Sequence, residues 1–462
     1  MPDPSRARTR FLTETGAPPA CAGGATSNSA TGSRSSVLSV EVRTRSISMP
    51  ERTDAASPHP GDRLKELRLT SGLTQERLAE RAGLSVGVVK KLEGGGSARL
   101  DTYHALARAL GVRTSALFES GGAHVSTRRD DDNIDLMPLR QAIAPAVTYS
   151  GRLTDTVAVD PDLNRLRSTA GEVGTAYHRD HYGYVAEVLP ALVHAAHAAV
   201  AHFDTGPEHV EAVRIRSDVL QMAGRYLTQV RAYDLAHTAL RDAISDAVLA
   251  DDMASVAAAV YQQGWLLMRQ GRLDEAEQVS VATADAVEPR ISRATKGTLG
   301  AWGKLLVHAS AAAARNNRPG EAREILRLGR TAGAALGGGQ AVAVSSWGRF
   351  DWRTVAFQGI ENHLVAEKPD RVLRLSERMP VPADRKARLF MRRHLLDVAQ
   401  AHVMMRAPEE ATAILWSLMG ETPEWLRHQR MAADTFHDAV GKSKRRRMTL
   451  KERDLAAFFK RA

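Results

Sequence analysis

From Pro60 onward, apolar residues recur every three or four positions, which places them on one side of an α-helix, and the alternating Val/Ile/Thr runs that would mark a sheet are missing. Four short amphipathic segments come first. Leu64-Lys65-Glu66-Leu67-Arg68-Leu69-Thr70-Ser71-Gly72 predicts a helix ended by glycine. Thr74 is placed to cap a second helix, Gln75 to Arg81, which buries Leu78 and Ala79 and stops at Gly83, where the absence of a Cβ permits a left-handed turn. Ser85 is placed to cap a third, running to Glu93, with Val89 and Leu92 inward, Gly87, Lys90 and Lys91 outward and Val86 at the margin. A fourth, Asp101 to Leu110, ends at Gly111 and precedes the apolar pair Leu117-Phe118.

These breaks divide the chain into a tail (1–59), a small helical domain (60–122), a linker (123–151), a long helical domain (152–441) and a terminal segment (442–462). The first 48 residues are rich in Ser, Thr, Ala, Gly and Pro, and such a composition buries too little apolar surface to offset the entropy of ordering, so the tail is expected to be disordered. Met49-Pro50-Glu51-Arg52 offers a second plausible start. The linker carries Arg128-Arg129-Asp130-Asp131-Asp132 and two prolines, and predicts a hinge with one short helix near Leu136 to Ile143. The terminal segment holds nine basic against two acidic residues. In it, Lys442-Ser443-Lys444-Arg445-Arg446-Arg447 reads as a solvated helix face or a phosphate contact. Thr449-Leu450-Lys451-Glu452 forms a capping box for a last helix that packs Leu455, Phe458 and Phe459 against the array.

Composition narrows the function. With 462 residues, 43% hydrophobic and 25% charged, the chain is long enough for two or more units and ordinary for a soluble protein. No uninterrupted apolar run reaches the roughly 20 residues of a membrane span, so no membrane partner is expected. The lone cysteine, Cys21, excludes an internal disulfide framework and a multi-cysteine metal site, and suggests a cytoplasmic protein. A formal charge of +10 favours a polyanionic partner.

The string Leu73-Thr74-Gln75 … Leu78-Ala79 … Ala82-Gly83-Leu84-Ser85 … Val89 … Leu92-Glu93 … Leu106-Ala107 … Ala109-Leu110-Gly111-Val112 resembles the helix-turn-helix domains of the XRE (phage-repressor-like) family. The resemblance covers roughly 60 residues. It implies double-stranded DNA as partner, with the helix from Ser85 to Glu93 entering the major groove. Gln75 matches a position that usually contacts phosphate. Lys90, Lys91 and Arg99 are candidate phosphate or base ligands. Val86 and Gly87 depart from the polar residues many members use for base reading, so specificity is expected from Lys91, from a thymine-methyl contact by Val86 and from DNA shape. Arg68 and Glu93 match positions that commonly form a structural ion pair in this family.

Beyond the linker, Gly264 … Leu267 … Gly271 … Leu273 … Ala276 resembles the tetratricopeptide pattern, in which a small residue lets two helices approach and an alanine on the second packs against the first. Gly224 … Leu227 … Tyr233 … Ala236 repeats it, weaker copies end at Ala322 and Ala411, and Ala186 and Val372 mark two more. A degenerate α-solenoid is expected, whose concave side suits a peptide, small-molecule or protein ligand. Tyr177, Arg225, Gln262, Gln263 and Trp265 are candidate groove residues, although inter-helix packing is the simpler role for the aromatic ones. Trp302, Trp347, Trp352, Trp416 and Trp425 read as packing anchors.

Other chemistry is not signalled. His178/His181 and His194/His197 stand three apart but lack a third ligand pattern, so no metal is expected. Gly94-Gly95-Gly96 and Gly337-Gly338-Gly339 lack the following Lys-Ser/Thr of a phosphate loop and read as turns. No nucleophile elbow, zinc-protease or kinase motif occurs, which argues for no cofactor and against an enzyme. The expected architecture is all-α, a small helix-turn-helix domain followed by a tetratricopeptide-like α-solenoid. The expected function is a homodimeric transcriptional regulator reading half-sites roughly 34 Å apart. The alternative is a helical-repeat scaffold for a protein partner, with DNA binding incidental.

Overall fold

Thr74 sets where the second helix begins: its extended backbone (φ −80°, ψ 164°) and its hydroxyl, accepting from the Arg77 N–H at 3.2 Å, form an N-cap. In the computed structural model, which describes residues 60–118, 136–146, 161–337, 342–345, 348–380, 391–441 and 448–460, the first helices are α1 (Pro60–Thr70), α2 (Gln75–Ala82), α3 (Val86–Glu93) and α4 (Leu100–Leu110). A 3-10 turn, Ser115–Leu117, follows them. Gly83 and Gly111 adopt the left-handed conformation at φ 67° and 73°, as the sequence requires. Leu64, Leu78, Val89, Leu92, Leu106 and Leu117 are each at most 1% exposed and make one core. Ser85 occupies the N-cap of α3, but its side chain makes no capping hydrogen bond.

The expected disordered tail, Cys21 and Met49 lie outside the described residues, as do most of the linker and Lys442–Arg447. Within the linker α5 (Met137–Ile143) is present, opened by Pro138 in its first turn, where a missing N–H costs nothing. Its Leu139, Ala142 and Ile143 pack into the core of the following helices.

Those helices form successive hairpins: α6 (Leu163–His178) with α7 (Tyr182–His202), α8 (Gly206–Gln229) with α9 (Tyr233–Leu249), α10 (Met253–Arg269) with α11 (Leu273–Ala286), α12 (Lys296–Arg315) with α13 (Pro319–Ala335), α14 (Trp352–Val365) with α15 (Pro369–Ser376), and α16 (Arg392–Met404) with α17 (Pro408–Glu421). Each hairpin turns through one residue with positive φ, respectively Asp180, Arg231, Gly271, Asn317, Glu367 and Arg406, at 53–77°. The conformation recurs although only one of the six is glycine. The small residues do what the sequence implied. A Cβ on Gly224 would lie 2.4 Å from Leu240 of α9, and one on Gly264 would press on Ser280 Oγ at 3.1 Å. Ala236, Ala276, Ala322 and Ala411 are buried. Short α18 (Pro423–Arg427), α19 (Arg430–Gly441) and α20 (Leu450–Lys460) end the chain. The capping box of α20 is formed, with Thr449 N donating to Glu452 Oε2 at 2.6 Å and Glu452 N to Thr449 Oγ1 at 3.3 Å.

The all-α reading holds with one addition. Two antiparallel strands, β1 (Val342–Ser345) and β2 (Gly348–Phe350), connect α13 to α14. They deliver the Phe350 ring into a notch on α12, where a Cβ on Gly303 would lie 2.2 Å from it. Strands this short carry no usable alternation. Helix α7 is long and apolar enough by composition to cross a bilayer, but Val185, Leu189 and Val193 are fully buried between α6 and α8.

The chain also closes on itself. Asp180, in the first turn, accepts a hydrogen bond from Arg392 Nη1 of α16 at 2.5 Å. The Arg392 guanidinium in turn lies 4.5 Å from the Trp425 ring centroid, and the Tyr182 and His428 rings meet edge to face at 5.3 Å. The first helix of each hairpin packs on the first helix of the next, α6 on α8, then α10, α12, α14 and α16, so these inner helices surround a common interior.

Candidate nucleic-acid interface

Helix α3 is anchored from beneath. Val89 and Leu92 are buried, and Val86 and Val88 pack partly on the same core. The opposite side carries exposed Ser85, Gly87, Lys90 and Lys91. Neither lysine has a hydrogen-bond or ion-pair partner among the described residues, so both ammonium groups are available to phosphates or base edges. A Cβ on Gly87 would meet only Ser85 Oγ, at 3.9 Å, leaving the α3 backbone open to close approach. The uncapped Ser85 hydroxyl stands beside it. Val86 is half-buried, which leaves it less methyl surface to offer a thymine than the sequence suggested.

Glu93 fixes the angle between α1, α2 and α3. Arg68 Nε donates to its Oε1 at 2.6 Å and Nη2 to its Oε2 at 3.0 Å, while Arg68 Nη1 donates to the Leu73 carbonyl at 2.7 Å. This is the ion pair that the resemblance implied. Gln75 joins it, its Nε2 donating to Glu93 Oε2 at 2.7 Å. Burial pushes the Glu93 carboxyl up, but the hydrogen bonds from Arg68 and Gln75 outweigh it and hold the group below the usual range. The half-buried Gln75 amide is thus oriented by Glu93 at the start of α2.

Arg99 departs from this group. It precedes α4 with extended backbone, and its Nη1 pairs with Asp434 Oδ2 of α19 at 2.6 Å. Arg99 thus ties the head to the long helical domain, with 41% of its side chain exposed.

That pair is one of several. Thr114 Oγ1 donates to the Arg315 carbonyl at 2.7 Å, Ser115 N to Asn316 Oδ1 at 2.9 Å, and Asn317 Nδ2 to the Val112 carbonyl at 3.1 Å. Arg113 pairs with Asp274 at 2.9 Å, and Arg108 with Glu367. His104 sits between two carbonyls, Nδ1 2.7 Å from Arg315 O and Nε2 3.2 Å from Val365 O. Burial holds its imidazole below the ordinary histidine range. The small domain therefore docks through α4 and the 3-10 turn onto hairpin turns of the long domain. These contacts carry no local sequence signal, because each partner lies far along the chain.

Among the described residues no group of three His, Cys, Asp or Glu side chains is placed to hold a metal. Of the two histidine pairs, His194 and His197 lie along α7, while His178 ends α6 and His181 precedes α7.

Residues 61–119 match a family described as a helix-turn-helix domain. No curated protein and no solved structure matches the chain. Together with the exposed face of α3, the match places a helix-turn-helix DNA-binding domain at the head of a long helical domain.

Proposed function

We propose that this protein is a sequence-specific transcriptional regulator of the XRE type, acting in the cytoplasm as a homodimer and without catalytic activity of its own. The observation that carries the reading is the pairing of Lys90 and Lys91, unpartnered on the exposed side of α3, with a helix-turn-helix core held in register by Arg68 and Glu93. In this reading α3 enters the major groove, the lysines and the Gln75 amide meet phosphates or bases, and Ser85 and Gly87 admit close backbone approach. Such a head binds one half-site weakly, so two copies are needed for tight binding. The long domain, read as degenerate tetratricopeptide-like hairpins, supplies dimerisation and a ligand response. Direct docking of α4 onto the hairpin turns supports that response, since a rearrangement of the turns would move α3.

The test is selection of bound sequences from a random DNA library with the wild type and a Lys90→Ala/Lys91→Ala variant. A two-fold symmetric site, weakened or broadened in the variant, supports the reading. Wild-type binding indifferent to sequence, with one protein recovered stoichiometrically on the long domain, supports a scaffold instead.

A further inference from the structure

Lys304 on α12 is 8% exposed, and no carboxylate or hydrogen-bond acceptor partners its ammonium among the described residues. It lies 4.6 Å from the Tyr261 ring centroid, and that ring lies 3.8 Å from the His308 ring at a 35° tilt, one turn along α12 from Lys304. Tyr261, Trp265 and Arg269 follow at four-residue spacing on the facing side of α10, with the Arg269 guanidinium 5.1 Å from the Trp265 centroid and no carboxylate partner of its own among the described residues. From α8, Arg225 lies 5.0 Å from the Tyr177 centroid and close enough to Lys304 to repel its charge. These cations sit on inner helices, around the interior that Asp180 and Arg392 close.

The interior is accessible rather than solidly packed. Arg393 of α16 keeps 43% of its side chain exposed, and Tyr261, Trp265 and Arg269 are each only partly buried. The acids there are already taken: Glu361 accepts from Arg315 at 2.5 Å and Arg393 at 2.7 Å, and Asp397 from Arg393 at 2.5 Å. Lys304 and Arg269 are therefore left without counter-charge beside aromatic surface. A buried ammonium in that position costs folding free energy unless an anion completes it.

We propose that the enclosed interior of the helical array is a binding site for a small organic anion, whose carboxylate or phosphate pairs with Lys304 and whose apolar body lies against Tyr261 and Trp265. Asp180 and Arg392 join the first hairpin to the last across 212 residues, which narrows the space for an extended chain and favours a small molecule over a peptide. The proposal names the ligand class for the sensing role proposed above and rests on that reading only for its consequence, not for the site itself. Burial and the nearby Arg225 depress Lys304 to about 7, and an anion on Nζ would restore its charge.

The test uses the full chain and two fluorescent probes of the same ring system, 8-anilinonaphthalene-1-sulfonate and its neutral counterpart N-phenyl-1-naphthylamine. The wild type is expected to bind the sulfonate at least about tenfold more tightly than the neutral probe, equivalent to roughly 1.4 kcal/mol. Lys304→Met is expected to abolish that preference while leaving the neutral probe unaffected, and Lys304→Arg to retain it, with thermal unfolding showing all three proteins folded. Equal affinity for the two probes in the wild type, or an undiminished preference in Lys304→Met, would overturn the site. DNA affinity measured with the sulfonate saturating separates the two ideas: an unchanged value alongside a confirmed site removes the sensing role and leaves the binding site standing.

Discussion

Thr114 and Arg315, 201 residues apart, are joined by a 2.7 Å hydrogen bond from the threonine hydroxyl to the arginine carbonyl. The same arginine sends its guanidinium the other way, to Glu361 at 2.5 Å, on the inner side of the array. One residue at the end of α12 thus touches both the DNA-binding head and the charged interior. Removing the head side of this contact with Thr114→Val is expected to cost about 1 kcal/mol and to raise amide hydrogen exchange around Ser115–Leu117 more than in α6 or α7. Equal exchange in both regions would show that the contact does not hold the head.

For DNA binding, Lys90→Ala and Lys91→Ala are each expected to lower affinity and to reduce the slope of log K against log salt by about one for each phosphate no longer neutralised. Fluorescence anisotropy across a salt series reads this directly. Arg99→Ala, which removes the pair with Asp434, is expected to leave that slope nearly unchanged. A decrease in slope equal to that of Lys91→Ala would return Arg99 to the DNA-contacting group.

The Arg68–Glu93 pair, with side chains 8% and 4% exposed, is expected to be costly to break from one side only. Glu93→Ala strands the Arg68 charge and releases the Gln75 amide, for a loss of about 3–5 kcal/mol in the head. Because the folded Glu93 carboxyl is held below its unfolded value of 4.5, its contribution is present above that pH and fades as the pH falls through it toward the lower folded value. Thermal or denaturant unfolding of wild type and variant at pH 7 and pH 3.5 should show the difference shrinking at the lower pH.

Acid acts on the long domain in the same direction through a different group. His394 is 3% exposed, stacks on Phe357 at 4.5 Å, and is held by burial and by the nearby Arg393 charge down to about 4. A base depressed in the folded state binds its proton more readily when unfolded, so it costs nothing above about 6.5 and destabilises progressively between about 6.5 and 4. Across that window the wild type is expected to lose on the order of 3 kcal/mol relative to His394→Leu. Parallel pH dependence of the two proteins would contradict it.

Lys304→Met is expected to stabilise the unliganded protein by roughly 1–4 kcal/mol, because it removes an unpaired buried charge while keeping most of the volume. The sign with pH follows from the depressed folded value of about 7 against 10.5 unfolded. The penalty is full below about 7 and is relieved as the pH rises toward 10.5, so the variant's advantage in melting temperature should shrink between pH 7 and pH 10.

The parts legible from the sequence alone are those whose physics is local. Thr74, Gly83 and Gly111 place helix ends through contacts within one turn of themselves, and Thr449 and Glu452 make their capping box three residues apart. The inward set Leu78, Val89 and Leu92 follows from helical period, which also separates Lys90 and Lys91 from the core. Gly224 and Gly264 likewise announced close helix pairs, since a small residue at such a crossing has little other use. What only the tertiary structure decided is which helices meet. Arg99 reads as one more basic residue beside a DNA-binding helix until α19 brings Asp434 to it, and Asp180 is an ordinary turn residue until Arg392 arrives from 212 positions away. Lys304, too, is a lone cation on a largely apolar helix, and the aromatic ring beside it comes from another helix. A period of 3.6 residues sorts side chains onto faces, and only the closure of the array determines whether such a face meets water or an enclosed interior.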